Sequence, residues 1–221
     1  MRRGLLLIFG FCGSVCALIL LCISGAATSR FASYETIRFP YNIPRSPLVI
    51  VDSICYDGPY LEDHSGRETI SVAAVLVKNT SGEMIKWARV SLVHGQGSQV
   101  YELTMLPPGG TVLVLEKCAA DYKQIGYSDI FCEFKFLHRG ADRLTALITQ
   151  TDQITVRNTY SNEIAKVSIY YKTIDPETKL YIGGVTHCAE VSNLAPGEYK
   201  VVSAPYVVSG YTDVVYITAE K

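Results

Sequence analysis

The sequence predicts an all-β protein: two tandem antiparallel β-sandwiches following an N-terminal hydrophobic helix. Three observations lead there. First, the second half of the chain repeats landmarks of the first half in the same order. Val77-Lys78-Asn79-Thr80 is echoed by Val156-Arg157-Asn158-Thr159, and Leu106-Pro107-Pro108-Gly109 by Leu194-Ala195-Pro196-Gly197. Gly126-Tyr127-Ser128-Asp129 is echoed by Gly210-Tyr211-Thr212-Asp213. Landmarks repeated in order mean one structural unit used twice. Second, from Leu48 onward the chain is rich in Val, Ile, Tyr and Thr, punctuated by Gly and Pro, with no convincing 3.6-residue period. Third, Arg2 and Arg3 precede an almost unbroken apolar run from Leu5 to Ile23.

That run, residues 1–27 with its flanks, reads as a signal peptide or a membrane anchor. The arginines supply the positive flank, and Gly25-Ala26-Ala27 supplies small residues for cleavage. The apolar length also approaches a membrane span. In either case the remainder of the chain lies outside the cytoplasm. Residues 28–47 read as an extended, poorly ordered linker, because Pro40, Pro44 and Pro47 interrupt a stretch without apolar periodicity. Residues 48–138 form the first expected domain, with strands at 48–55, 69–78, 86–94, 99–105, 111–117 and 128–137. Residues 139–221 form the second, with strands at 143–148, 153–158, 164–173, 180–183, 186–192, 199–204 and 211–218. Ile130, Cys132, Phe134 and Phe136 alternate with Phe131, Glu133, Lys135 and Leu137, the first set facing a core and the second half solvated. The Asn79 and Asn158 segments read as hairpin loops that use the tolerance of Asn and Gly for positive φ. Leu-x-Pro-Gly reads as a sharp corner between strands.

The corner Leu194-Ala195-Pro196-Gly197-Glu198-Tyr199 resembles that of fibronectin type III and related immunoglobulin-like sandwiches. That resemblance implies a tyrosine corner, with the Tyr199 hydroxyl bonded back to backbone. The first repeat has Thr111 at this place. The pattern of Val-x-Asn-Thr, an apolar strand and Leu-x-Pro-Gly is also similar to FxLYD-type domains of bacterial envelope proteins, with Val90-Ser91-Leu92-Val93-His94 where that family carries its name-giving run. Both resemblances cover most of residues 48–221 and imply a scaffold at the cell envelope rather than a chemistry.

Composition excludes more than it identifies. The 221-residue chain has a net charge of −1 and no basic cluster beyond its first residues, which removes the electrostatic footprint of nucleic-acid binding. Seven cysteines are present. Cys12, Cys16 and Cys22 fall in the N-terminal segment, which leaves Cys55, Cys118, Cys132 and Cys188, with Cys118–Cys132 the leading candidate disulfide. No C-x-x-C or H-x-x-H spacing marks a metal, and no cofactor is expected. Glu62, Asp63, His64 and Glu68 share one loop, the only place where a metal-assisted hydrolase or an accessory enzyme domain would find its groups. His94-Gly95-Gln96-Gly97 reads as a hairpin turn, since no G-x-S-x-G elbow accompanies it. Asn79-Thr80-Ser81 fits a glycosylation pattern, but its echo at Asn158 does not, so a turn role serves both.

Fifteen tyrosines and one tryptophan, Trp87, offer recognition groups. The loops carrying Tyr122 and Tyr127 in the first repeat, and Tyr206 and Tyr211 in the second, are the candidate binding loops. The expected function is a non-enzymatic extracytoplasmic interaction or structural module, tethered to or secreted across a membrane. Its expected partners are protein or glycan at the cell surface, with membrane contact through the N-terminal segment.

Overall fold

The computed structural model describes residues 36–63, 65, 67–122, 125–138, 144–150 and 152–220. The N-terminal apolar segment, His64 and the junction at 139–143 lie outside them. Every regular element among the described residues is a strand. In chain order they are β1 Tyr41–Asn42, β2 Leu48–Pro59, β3 Glu68–Asn79, β4 Ile85–His94, β5 Gly97–Leu106, β6 Thr111–Leu115 and β7 Tyr127–Phe136. Then follow β8 Thr145–Gln150, β9 Gln153–Arg157, β10 Ile164–Ile174, β11 Tyr181–Leu194, β12 Tyr199–Ser203 and β13 Thr212–Glu220. β2 to β7 and β8 to β13 are the two repeats, strand for strand.

The pairings repeat as well. In the first repeat β2 and β6 flank β3, while β5 and β7 flank β4. In the second, β8 and β12 flank β9, while β11 and β13 flank β10. Each repeat therefore has two three-stranded groups, and their inward residues meet in one apolar cluster. Leu48, Ile50, Val75, Val77, Val112 and Val114 meet Ala88, Val90, Leu92, Tyr101 and Leu103 in the first. Ile154 and Val156 meet Val167, Ile169, Tyr171, Val191 and Ile217 in the second. The alternation expected along β7 holds: Ile130 is buried and Phe131 is 59% exposed.

One junction joins the repeats. β6 pairs with β11 in parallel, Val112 opposite Tyr181 and Leu113 opposite Ile182. A parallel pair needs a long crossover, and here the crossover is the chain from β7 through β10. The result is a seven-stranded sheet ordered β1-β2-β3-β6-β11-β10-β13, and residues Thr36–Lys221 form one compact unit.

Four expectations need correction. Residues 36–47 are not a loose linker: β1 pairs with β2 at Tyr41–Ile50 and Asn42–Val49, the Ile37 amide donates to the Tyr127 carbonyl, and Ile43 is buried. Ile37, Phe39, Tyr41 and Ile43 alternate along an extended segment and pack on the first cluster, a period-2 pattern that the prolines obscure. The Asn79 and Asn158 segments are not hairpins, because β3 and β4 lie in different sheets, as do β9 and β10. Each is an arch that carries the chain from one sheet to the other. The two strands expected at 180–183 and 186–192 are one strand, β11 Tyr181–Leu194, which passes Gly183 and Gly184 without ending. Finally, Tyr199 makes no tyrosine corner: it is 60% exposed, with the Arg157 guanidinium 4.9 Å above its ring. Leu-x-Pro-Gly here precedes the third strand of its sheet, β6 or β12, and the side chain after it points outward.

Candidate functional site

The repeated turns are two halves of one clamp. Asn79 and Asn158 are fully buried. The Asn79 amide donates to the carbonyls of Glu83 at 2.8 Å, Leu106 at 3.1 Å and Pro107 at 3.2 Å, and its Oδ1 accepts from the Ser81 amide. The Asn158 amide donates to Asn162 and Leu194, both at 2.9 Å, and its Oδ1 accepts from the Tyr160 amide. Backbone bonds close the same ring: Gly109 donates to Asn79 and Gly197 to Asn158. Met105 and Asn193, each just before the corner leucine, both adopt positive φ, as do Gly109 and Gly197. The Asn and the Leu-x-Pro-Gly corner recur together because each satisfies the other's buried polar groups. A buried, fully used Asn79 amide also leaves no side chain for glycosylation.

A second polar cluster lies at the junction of the repeats. Lys172, on β10, is fully buried. Its Nζ donates to the carbonyls of Val185 at 2.8 Å, Gly184 at 3.0 Å and Thr104 at 3.2 Å, and to Thr186 Oγ1 at 3.2 Å. Thr104 belongs to the first repeat, so the lysine bridges both. Burial pulls its pKa down from 10.5 to about 7, with the Glu62 carboxylate opposing that shift. Glu62 reaches in from the β2–β3 connection and accepts from the amides of Leu115 and Gly184. Burial raises its pKa, while those amides and Lys172 hold it down. The two form no ion pair; backbone groups solvate each charge separately. Gly184 has no room for a side chain, because a Cβ there would collide with the Glu102 carbonyl oxygen and sit 3.0 Å from Glu62 Oε2.

The loop proposed for metal chemistry disperses its carboxylates. Glu62 turns inward to the junction, whereas Asp63 is exposed and accepts from the Ser65 amide at 2.9 Å. Glu68 sits exposed at the start of β3, opposite Pro59, and His64 is outside the described residues. Among the described residues no group of three His, Cys, Asp or Glu is placed to hold a metal ion.

The candidate binding tyrosines separate into two kinds. Tyr127 is 4% exposed and begins β7, its hydroxyl bonded to Gln99 at 2.8 Å and near Ser53 at 3.3 Å, so it is a core residue and not a recognition group. Tyr122 is half-buried, its amide held by the Ser71 carbonyl. Tyr206 and Tyr211 are 53% and 54% exposed on the β12–β13 loop. That loop is pinned from below: the Tyr171 hydroxyl donates to the Pro205 carbonyl, and the His187 ring stacks between Tyr171 and Tyr206 at 5.3 and 5.0 Å.

The Cys118–Cys132 disulfide is not formed, and Cys55, Cys118, Cys132 and Cys188 are free thiols. Cys132 points inward from β7, where its sulfur accepts from Ser46 Oγ. Cys118 is exposed just past β6, in the other sheet, its amide bonded to the Glu116 carboxylate. The short sequence separation hid the fact that the two strands belong to different layers.

Sequence reasoning missed Lys172, and it singled out Glu62 for metal chemistry rather than for the junction. Along β10, Ser168, Tyr170 and Lys172 alternate onto one face, which reads as solvent-facing until β5 is known to cover it. The only signal was a lysine in the middle of an otherwise uncharged strand end, Ile169-Tyr170-Tyr171-Lys172-Thr173-Ile174.

No protein-family model matches this chain, and no curated protein does either.

Proposed function

We propose that this chain is a non-catalytic, extracytoplasmic interaction module: two immunoglobulin-like β-sandwiches fused rigidly, delivered by the N-terminal segment, and offering loops to a protein or glycan at the cell surface. The observation that carries the reading is how the buried polar side chains are used. Asn79, Asn158, Lys172 and Glu62 all bond to backbone groups that hold corners, arches or the junction. Such groups build a scaffold, and the fold by itself implies no chemistry. The exposed tyrosines of the β12–β13 loop add a large contact area with polar ends on a loop that is already held in place. The near-neutral charge favours protein or glycan over nucleic acid.

The test is a photo-crosslinking residue at Tyr206 or Tyr211 in the full chain, expressed in intact cells of its source. The reading expects a discrete adduct, formed with a molecule that external protease also reaches. No adduct at either site, together with a hydrolytic activity that His64→Ala abolishes in a folded chain, replaces the reading with the enzyme.

A further inference from the structure

We propose that the groove at the junction of the two repeats is a peptide site. It would take an extended segment that presents two apolar side chains, at positions i and i+2, between an acidic and a basic residue. This rests on the interaction reading above and names the surface and the partner for it.

The groove encloses about 470 Å³, within the range of ligand pockets, and such pockets favour the seams between structural units. One wall is the first repeat, with Lys86, Met105 and Leu137; the other is the second, with Tyr170, Tyr216 and Thr218. Tyr216, Thr218 and Glu220 are alternate residues of β13, opposite Tyr170, Ser168 and Lys166 of β10, so this wall is one face of a sheet. The rings of Tyr170 and Tyr216 lie 6.2 Å apart and make it aromatic.

The groove is built rather than incidental. Thr104 and Thr186, which line it, bond to each other at 2.9 Å and both accept from the buried Lys172 ammonium. The cluster that locks the repeats together therefore also fixes the groove, so a ligand meets a preformed site and loses little to ordering it.

Shape and charge select the occupant. The space exceeds one aromatic side chain, and in an extended peptide side chains i and i+2 project to the same side, about 6.6 Å apart. Lys86 comes from the first repeat and Glu220 from the second, and neither forms an ion pair among the described residues. Glu220 lies opposite Lys166 and feels its charge, but that lysine is already paired with Glu190 at 2.6 Å. Charges of opposite sign on opposite walls therefore give the segment a direction, with its acid toward Lys86 and its base toward Glu220.

The experiment titrates the full chain into two fluorescein-labelled, end-blocked peptides, Asp-Leu-Thr-Phe-Lys and its charge-reversed form Lys-Leu-Thr-Phe-Asp, and reads anisotropy. The proposal expects the two to differ at least tenfold in affinity, since only one charge order suits each chain direction in the groove. It also expects that preference to invert in the double variant Lys86→Glu, Glu220→Lys. Thr218→Arg, which fills the groove, should abolish binding with the circular dichroism unchanged. If Thr218→Arg disturbs the fold, the charge-inversion variant decides alone, because both of its sites are exposed. Absence of binding by both peptides, equal binding of both, or a preference that survives charge inversion overturns the proposal. Crosslinks at Tyr206 or Tyr211 would persist in that event, so failure of the groove is distinguishable from failure of the interaction reading.

Discussion

The β2-β3-β6 sheet of the first repeat and the β8-β9-β12 sheet of the second are made of corresponding strands, yet they meet solvent differently. On the first, β1 covers one edge and β11 the other. Its outer face carries a third apolar cluster, Val72, Ala74, Leu113 and Leu115 beneath Tyr60, whose hydroxyl donates to the carbonyls of Glu116 and Lys117. On the second, β8 and β12 are the outermost strands among the described residues, and Leu147, Tyr199 and Val201 are 60%, 60% and 61% exposed. The connections make the difference. In the connection from β2 to β3, Tyr60, Leu61 and Glu62 fold back over the sheet, while only two residues separate β8 from β9 in the sequence and leave no length to do so. The same turn chemistry thus supports a sheet buried on both faces in one repeat and a half-buried sheet in the other. An inward-only core is enough to define each repeat, and cover is added by what the connections bring.

The largest effect expected is at the junction that covers β6. Gly184→Ala forces a Cβ into the Glu102 carbonyl and should destabilise the chain by about 3 kcal/mol, the upper end for overpacking. Gly95→Ala, in a hairpin with open space around it, should stay within about 0.5 kcal/mol. Denaturant midpoints of the two variants give the contrast directly.

Removing the lid should matter on one sheet only. Tyr60→Ala takes away a buried ring and its two bonds and should cost about 3 kcal/mol. Leu147→Ser and Val201→Ser, on the corresponding open face, should each change stability by no more than about 0.5 kcal/mol. Equal losses at Tyr60 and Val201 would mean that the second sheet has a cover of its own.

The clamp should be alike in both repeats. Asn79→Ala and Asn158→Ala each strand buried carbonyls and should cost about 2 kcal/mol, read by urea titration. Asn79, with three carbonyl partners to two, should be the costlier.

A pH slope tests the same junction without any substitution. Lys172 is depressed to about 7 in the folded chain against 10.5 unfolded, so between those values the unfolded state binds more protons. Stability should therefore rise from pH 7 toward pH 10, and below pH 7 the full penalty of the buried ammonium is present. Glu62, raised by burial, acts the opposite way in acid: stability falls as pH climbs from 4.5 through its folded value. Lys172→Met should flatten the alkaline rise when denaturant midpoints are compared at pH 7 and pH 9.5.

Strand positions were legible in the sequence because β-branched and aromatic runs alternate between Gly, Pro and Asn signals, and twelve of the observed strands, β2 to β13, start within three residues of an expected one. Sheet membership was not. The Asn79 and Asn158 turns look like hairpins because the same residue types serve tight turns and arches, and only the buried Asn amide, satisfied by a distant corner, distinguishes the two. Residues 36–47 misled through their prolines, which flank the short edge strand β1 and so take no amide from its ladder. Tyr127 misled because Gly126 before it signals a loop, although the tyrosine is the first residue of β7. The junction roles of Lys172 and Glu62 stayed hidden because they are created between the repeats, and no local pattern records a contact 68 or 122 residues away.

The central claim is that corresponding strands β6 and β12 differ in cover because β6 is flanked on both sides and β12 on one. Native-state hydrogen exchange read at single residues tests it most directly. The account predicts that amides of Val112 to Leu115 exchange only with global unfolding, while those of Tyr199 to Ser203 exchange through local opening, orders of magnitude faster. Equal protection of the two strands would contradict it.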